Sequence, residues 1–260
     1  MNIVDKEKRL FEYEGEDKII SSHEMQSILL SQRNQDFNIG SMCPRLDSAL
    51  GGFEGGEVTV ISGLTGQGKT LFAQSLTRNF HLRDIISTWF SYEVTPKWFI
   101  KAFGDSLPTF YLPTKLKDNT LDWLEERIYE GLLKYGSRAV FIDHLHFLVD
   151  MRTRNNMSLE IGFTMRALKK IAIAHNICLF IIAHTEKIRT DSELDINCLS
   201  DSSFIGQEAD NVLMIWRDLK TDNEAFLKVV KNRKHGTYIK IPLIKVNGFL
   251  ADKDTIYDHE

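Results

Sequence analysis

This sequence predicts an α/β fold built on a mainly parallel central sheet, with helices on both faces and an antiparallel hairpin at its C-terminal end. Three observations carry the prediction. From Gly40 onward apolar runs of strand length alternate with helical patterns, a glycine-rich loop joins the first strong run to a helix, and several apolar runs crowd together near the end. Residues 1–38 differ from the rest: they are rich in charge and amide, with one amphipathic helix in SSHEMQSILLSQRN that sets Met25, Ile28 and Leu29 on one side. Such a segment rarely folds alone, and reads as a tail, a helix packed on its own domain, or an arm that docks on a neighbouring subunit. Residues 39–260 make the main domain.

Within that domain VTVIS at 58–62 reads as a strand, and the helix after its loop carries Phe72, Leu76 and Phe80 at four-residue spacing. A second strand, ISTWFS, stops before Glu93, where Thr95 and Pro96 read as the cap and first residue of a helix. The helix TLDWLEERIYEGLLKYG, the strand AVFID, a helix over about 158–175 and the strand CLFIIA follow. Late in the chain VLMIW, AFLKVVKNR and YIKIPLIK come close together, with His235 and Gly236 suited to a turn.

Composition excludes some classes. With 43% hydrophobic and 26% charged residues in 260, and no apolar run near the ~20 residues that span a bilayer, the chain is expected to be soluble and to have no membrane partner. The N-terminus MNIVDKEKRLFEYEGEDK mixes acids and bases and lacks the pattern of a signal or transit peptide, so cytoplasm, or host cytoplasm for a viral protein, is the expected location. Cys43, Cys178 and Cys198 show no C-x-x-C spacing and read as reduced thiols rather than a disulfide framework or zinc ribbon. A net charge of -4 neither requires nor forbids nucleic acid, because local basic loops can bind it on an acidic protein.

The motif that carries chemistry is GLTGQGKT: Gly63, Leu64, Thr65, Gly66, Gln67, Gly68, Lys69 and Thr70 match the phosphate-binding loop G-x-x-x-x-G-K-[ST] in its required context between strand and helix. Its glycines let backbone N–H groups wrap the phosphates of ATP or another nucleoside triphosphate. Lys69 would reach the β and γ phosphates and Thr70 would ligate Mg2+. Asp143, ending AVFID, fits the acid that holds magnesium beside Thr70; the rival reading is an acid that opens a loop. The neighbouring His144, His146 and Asp150 raise a metal cluster, although histidines alternating on a strand ordinarily pack or face solvent.

Glu93 either orients and deprotonates an attacking water or merely favours the helix start that follows it. His184 ends its strand where it could sense a γ-phosphate, with an ordinary strand-end histidine as the plain alternative. In the basic stretch 227–245, Lys231 and Arg233 on one side of a strand could reach a neighbour's phosphates as an arginine finger, or could be a solvated face. Arg152 and Arg154, with Lys187 and Arg189, stand on loops at the nucleotide edge, suited to the phosphates of single-stranded DNA or simply to water.

Taken in order, these motifs resemble the RecA-like P-loop core of replicative ring helicases of the DnaB and Twinkle type, over roughly 40–250. GLTGQGKT is similar to the family's Walker A segment, FSYEVTP to its Phe-Ser-x-Glu-Met segment, and VFIDHLHFL to its Walker B stretch. RALKKIAIAHNICLFIIAHTEK resembles the approach to its phosphate sensor, IGQEADNVLMIWR the segment after its central DNA loops, and VVKNRKHGT its finger-bearing strand. The resemblance implies an ATP hydrolase coupled to DNA unwinding in replication. Glu93 becomes the catalytic base, Asp143 the magnesium holder, His184 the sensor, and Arg233 with Lys231 groups acting across an interface. It also implies a hexamer and single-stranded DNA gripped by loops 151–157 and 185–206, where Ser202 and Ser203 join the basic residues as contacts; primase, polymerase or loader are the expected partners. The chain departs from bacterial relatives in its Ala-His-Thr sensor and in a loop, LSDSSFI, without the usual glycines. With no primase, zinc-binding or collar domain ahead of the core, a minimal helicase is expected, its ring held by the N-terminal arm.

Two other classes compete. RLDSALGGFEGGEVTVISG also resembles recombinase and clock-type relatives, but a lone Glu93 preceded by Tyr92 disfavours the clock type, which carries adjacent glutamates. A non-catalytic helicase loader or inhibitor would not need Lys69, Thr70, Glu93 and Asp143 together.

Overall fold

The computed structural model describes residues 3–15, 17–31, 37–116, 121–149, 157–184, 203–218, 221 and 223–257. They belong to two compact units, Met1–Asp36 and Phe37–Glu260. The first holds two helices, α1 (Ile3–Phe11) and α2 (Ser22–Ser31), where the sequence pattern pointed to the second alone. A reciprocal capping box starts α2: Ser21 N–H donates to Glu24 Oε2 at 2.9 Å, and Glu24 N–H donates to Ser21 Oγ at 3.1 Å. Neither helix has a buried residue.

The second unit opens with β1 (Asn38–Ile39), paired antiparallel with β2 (Phe53–Glu54). This pairing draws Phe37 and Asn38 into the core unit, so its edge lies at Phe37 rather than at 39. Between these strands runs α3 (Pro44–Leu50), started by Pro44 and closed by Gly51 in the left-handed conformation, whose N–H donates to Asp47 O.

The main sheet comprises β3 (Val58–Gly63), β4 (Ser87–Ser91), β5 (Ala139–Asp143), β6 (Cys178–His184), β7 (Asn211–Arg217), β8 (Glu224–Asn232), β9 (Ile239–Val246) and β10 (Phe249–Asp252). Their spatial order is β10-β9-β8-β7-β3-β6-β5-β4. Strands from β7 across to β4 are parallel, and β8, β9 and β10 add on as an antiparallel meander. The expected C-terminal hairpin is therefore one part of a longer run. Asn247 and Gly248, both at positive φ, form the tight turn into β10, and this Asn-Gly pair is the sequence signal that announces it.

Helices α4 (Lys69–His81), α5 (Pro96–Lys101), α6 (Leu121–Tyr135) and α7 (Met157–His175) cover the sheet, followed by α8 (Ser203–Glu208) and α9 (Lys253–Tyr257). Pro96 does open α5, but Thr95 makes no side-chain cap. Because strand side chains alternate, each central strand feeds two cores. Ile61, Phe141, Phe180 and Ile182 meet Phe72, Leu76 and Phe80 of α4 on one face. Val60, Val140, Ile142, Leu179 and Ile181 meet Ile128 of α6 and Met165 and Leu168 of α7 on the other. The near-continuous apolar runs of the sequence are thus strands buried on both sides. Among the described residues no helix is long and apolar enough to cross a membrane.

Phe180 is the hinge of the aromatic core, with ring centroids 4.9 Å from Phe53, 5.6 Å from Phe80 and 4.6 Å from Phe141. Its truncation in Phe180→Ala is expected to cost about 3–5 kcal/mol, measured as a lower urea midpoint at unchanged slope.

Candidate functional site

Register decides which residues meet. Ser91 of β4 lies opposite Asp143 of β5, Asp143 opposite Ile182 of β6, and Gly63 of β3 opposite His184 of β6. Four parallel strands therefore end along one line, and the loops that leave them share that edge. Between β3 and α4, Gly66 and Gly68 hold φ of 77° and 100°, conformations that favour glycine, and Gly68 is the residue from which α4 springs. A Cβ on Gly63 would lie 2.2 Å from Ile215 O, so the loop leaves the sheet at a point of backbone contact. A Cβ on Gly66 would meet nothing within 4 Å, so it is the positive φ and not crowding that favours glycine there.

Lys69, 5% exposed, donates from Nζ to Gly63 O at 3.0 Å and Leu64 O at 2.9 Å. Burial lowers its pKa, and the nearby Glu93 and Asp143 carboxylates counteract that. Thr70 Oγ1 donates to Asp143 Oδ2 at 2.9 Å, so the loop threonine and the strand-end acid are in direct contact. Asp143 is 1% exposed and its Oδ1 has no hydrogen-bond partner. Its pKa is raised to about 7: burial dominates, Glu93 adds to it, and Thr70 and Lys69 oppose. A buried carboxylate with one satisfied and one bare oxygen, next to a hydroxyl, suits a hard cation bound through oxygen.

Glu93 is exposed and follows β4. Tyr92 N–H and Glu93 N–H both donate to Asp143 O, at 2.6 Å and 3.3 Å, which ties the turn after β4 to the end of β5 and holds the two carboxylates close. His184 ends β6 opposite Gly63, and its pKa is lowered by burial and by Lys69, with Glu93 pulling the other way. His144 lies beside it with ring centroids 4.5 Å apart, and burial first, then His184, His146 and Lys69, push its pKa down to about 4. Burial thus pushes both imidazoles toward the neutral form. A cavity of about 180 Å³ borders the loop, lined by Gln67, Leu71, Arg217, Lys245 and Leu250. Gln67 Oε1 accepts from Arg217 N–H at 2.8 Å. A larger cavity, about 520 Å³, lies beside β4 and α6 at Thr88, Tyr111, Trp123 and Arg127, away from this chemistry.

A model of the DnaB-like helicase C-terminal domain matches residues 115–249. The chain belongs to that DnaB-like helicase family. Two solved structures share the fold. The ATPase domain of G40P is 19% identical with a TM-score of 0.75, over 88% of this chain and 97% of that one. A structure described as a DnaB-like replicative helicase and its interactions with primase is 18% identical with a TM-score of 0.74, over 95% of this chain and 70% of that one. The RecA-like architecture that the motifs implied is the one these DnaB-type folds have.

Of the residues singled out in the sequence, Gly63 through Thr70, Glu93, Asp143 and His184 come together. Lys231 and Arg233 do not join them. The antiparallel β8 ends where β3 begins, at the opposite edge of the sheet. Arg233 stands in the turn after β8 rather than on the strand, yet both cations still meet, at Gln207 O, 2.7 Å from Arg233 and 3.1 Å from Lys231. The segment LSDSSFI is not all loop: Ser203 begins α8, which packs Ile205 into the core. Arg152, Arg154, Asp150, Lys187, Arg189, Ser202 and Cys198 lie outside the described residues.

Two features escaped the sequence reading. Asp210 accepts from Val58 N–H at 2.8 Å, Lys169 Nζ at 2.6 Å and Arg233 Nη1 at 3.0 Å, joining three distant segments that no spacing relates. The histidine cluster gathers His144 with His184 and Glu93, where local spacing had pointed to His146 and Asp150.

The raised Asp143 pKa has a definite sign. Its contribution to stability is fully present below the ordinary carboxylate pKa of roughly 4 and is lost as pH rises through about 7. The nucleotide-free protein should lose a few kcal/mol over that window. Asp143→Asn should flatten the loss in urea unfolding at a series of pH values, and an unchanged profile would contradict the buried, raised carboxyl.

Proposed function

We propose that this chain is an ATP-hydrolysing motor of the replicative-helicase kind, working as a ring on single-stranded DNA. The observation that carries the reading is the contact of Thr70 with Asp143, with Lys69 and Glu93 alongside, in a chain of the DnaB-like family. The residues fit both ATP and magnesium: a loop with Gly66 and Gly68 at positive φ ahead of a helix start for the phosphates, and the bare Asp143 Oδ1 with the Thr70 hydroxyl for the cation. When bound, ATP supplies the phosphoryl group and magnesium neutralises charge on it.

The chain's own groups then have distinct tasks. Backbone N–H groups of 64–70 bind and orient the phosphates. Lys69, buried at the start of α4, stabilises charge that develops on the transferred group, and that charge in turn favours its ammonium form against the effect of burial. Thr70 and Asp143 hold the cation, whose charge would keep Asp143 ionised despite its burial. Glu93, exposed at the strand edge, orients the attacking water and accepts its proton. His184, pushed toward its neutral form and within the influence of Lys69 and Glu93, passes the phosphate's state to the segment that follows it by hydrogen bonding.

Arg233 and Lys231 act on a neighbour's nucleotide. Their position on the edge opposite the loop supports this, since within one chain they face away from Lys69. A closed hexamer meets that requirement at every interface. DNA contacts by 151–157 and 185–206, docking by the N-terminal helices, and primase, polymerase or loader as partners belong to the same reading, as does a cytoplasmic setting.

Steady-state ATP hydrolysis with and without single-stranded DNA, beside a mass determination, tests the proposal. DNA-stimulated turnover in a hexamer, lost in Lys69→Ala and in Glu93→Gln, is expected; an active Lys69→Ala protein, or a monomer indifferent to DNA, would refute it. Arg233→Ala should keep nucleotide affinity while lowering turnover by about 10³-fold or more. Equal turnover in variant and parent would remove Arg233 from the reaction.

A further inference from the structure

Beside the phosphate loop, side chains from three strand ends converge. Glu93 follows β4, His144 follows β5 and His184 ends β6, and each offers a ligand atom within 4.8 Å of those of the other two. The parallel register produces this convergence, because Ser91, Asp143 and Ile182 stand in line across the three strands. His144 is held in place by ring contacts with His184, at 4.5 Å, and Phe147, at 4.8 Å, and its Nδ1 is buried with no hydrogen-bond partner. Glu93 is exposed at its side chain but fixed at its backbone through the Asp143 carbonyl.

We infer that Glu93, His144 and His184 form a second cation site, for a zinc-class transition-metal ion, whose occupation stops hydrolysis by engaging the Glu93 carboxylate. Two imidazole nitrogens and one carboxylate oxygen are a three-ligand set with room for water, the set that zinc and related ions prefer. The Thr70 and Asp143 pair a few ångströms away offers oxygen alone and suits magnesium. Ligand type therefore sorts the two ions between adjacent positions.

The geometry needs only a small adjustment. Bonds of ~2.0–2.1 Å place tetrahedral ligand atoms about 3.3 Å apart, so the three side chains close on the ion from a spacing within 4.8 Å by rotation about their own side-chain bonds. Lys69 and His146 both act on the two histidines, and the carboxylates of Glu93 and Asp143 act on Lys69, so the lysine's charge is partly offset at the site. His144 is the member with no part in the proposed ATP chemistry, which makes it the clean test position.

The site is independent of the proposed catalytic role of Glu93, while the inhibition rests on it, and the experiment separates the two. Co2+ is titrated into the full chain, its parent form and the His144→Gln and His184→Gln variants, and visible absorption bands of protein-bound cobalt are followed, with circular dichroism melts to establish that the variants are folded. The parent should bind one cobalt that excess Zn2+ displaces, and each variant should bind it more than about tenfold more weakly, the lower bound set by losses seen when only a ligand's supporting residue is removed. Cobalt bands that are absent from the parent, or the same in the parent and a folded variant, overturn the site. In a parallel assay of Mg-dependent ATP hydrolysis, Zn2+ should inhibit the parent, and His144→Gln should need at least tenfold more of it. Cobalt binding lost in both variants without inhibition of the parent by zinc would keep the site and overturn its effect on hydrolysis.

Discussion

Everything at the active edge depends on one constraint: the strands β3, β6, β5 and β4 are parallel, in register and covered on both faces. A strand buried on both faces has no place for polar chemistry along its length, because an unpaired polar side chain there loses its water without compensation. The ends are where that restriction lifts. Since the strands run the same way and end together, their last residues and the loops after them are pressed into one line, and Gly63, Ser91, Asp143 and His184 become neighbours although the chain visits them far apart. The contact of Thr70 with Asp143 closes that line, joining the start of α4 to the end of β5.

Proximity at a buried edge makes the groups define one another's charge. Asp143 is held toward its neutral form and Lys69 is weakened as an ammonium, both mainly by loss of water, and each partly restores the other. The two histidines are pushed toward the neutral form for the same reason. The result is an edge with little net charge of its own and several groups whose ionisation responds to what arrives: a phosphate would favour Lys69 charged, a divalent ion would favour Asp143 charged. Such a surface is prepared for a charged ligand without bearing the full cost of isolated buried ions.

The opposite edge is organised on other terms. There Asp210, 5% exposed, gathers Lys169, Arg233 and the N–H of Val58, and Lys231 caps the carbonyls at the end of α8. These contacts fasten the antiparallel extension to the parallel sheet and fix where the two late cations stand. A register shift between Val212 and Leu213 contributes: it leaves Val230 unpaired in the ladder and lets Lys231 reach the carbonyls of 206–209 on the α8 side. The two edges of one sheet thus carry different equipment: the phosphate loop with Lys69, Glu93 and Asp143 on one, and on the other Lys231 and Arg233, held by the carbonyls at the end of α8 and by Asp210.

By itself the sequence determined what local chemistry determines. The glycine pattern and Lys69-Thr70 define the phosphate loop, apolar runs of strand length define the doubly buried strands, and four-residue spacing defines the buried stripe of α4, because backbone geometry and burial period act over a few residues. The turn into β10 carries a signal of the same kind in Asn247-Gly248, although the sequence reading named a turn only at His235 and Gly236. Residues at strand ends could be named singly, and Glu93, Asp143 and His184 were, since a polar residue closing an apolar run has few other reasons to be there. Which of them touch was left to the tertiary structure. Strand order and register bring Glu93 to Asp143, choose His144 over His146 as the companion of His184, send Arg233 and Lys231 to the far edge and make Asp210 a junction, because these are relations between segments brought together only when the sheet is assembled and no spacing along the chain encodes them.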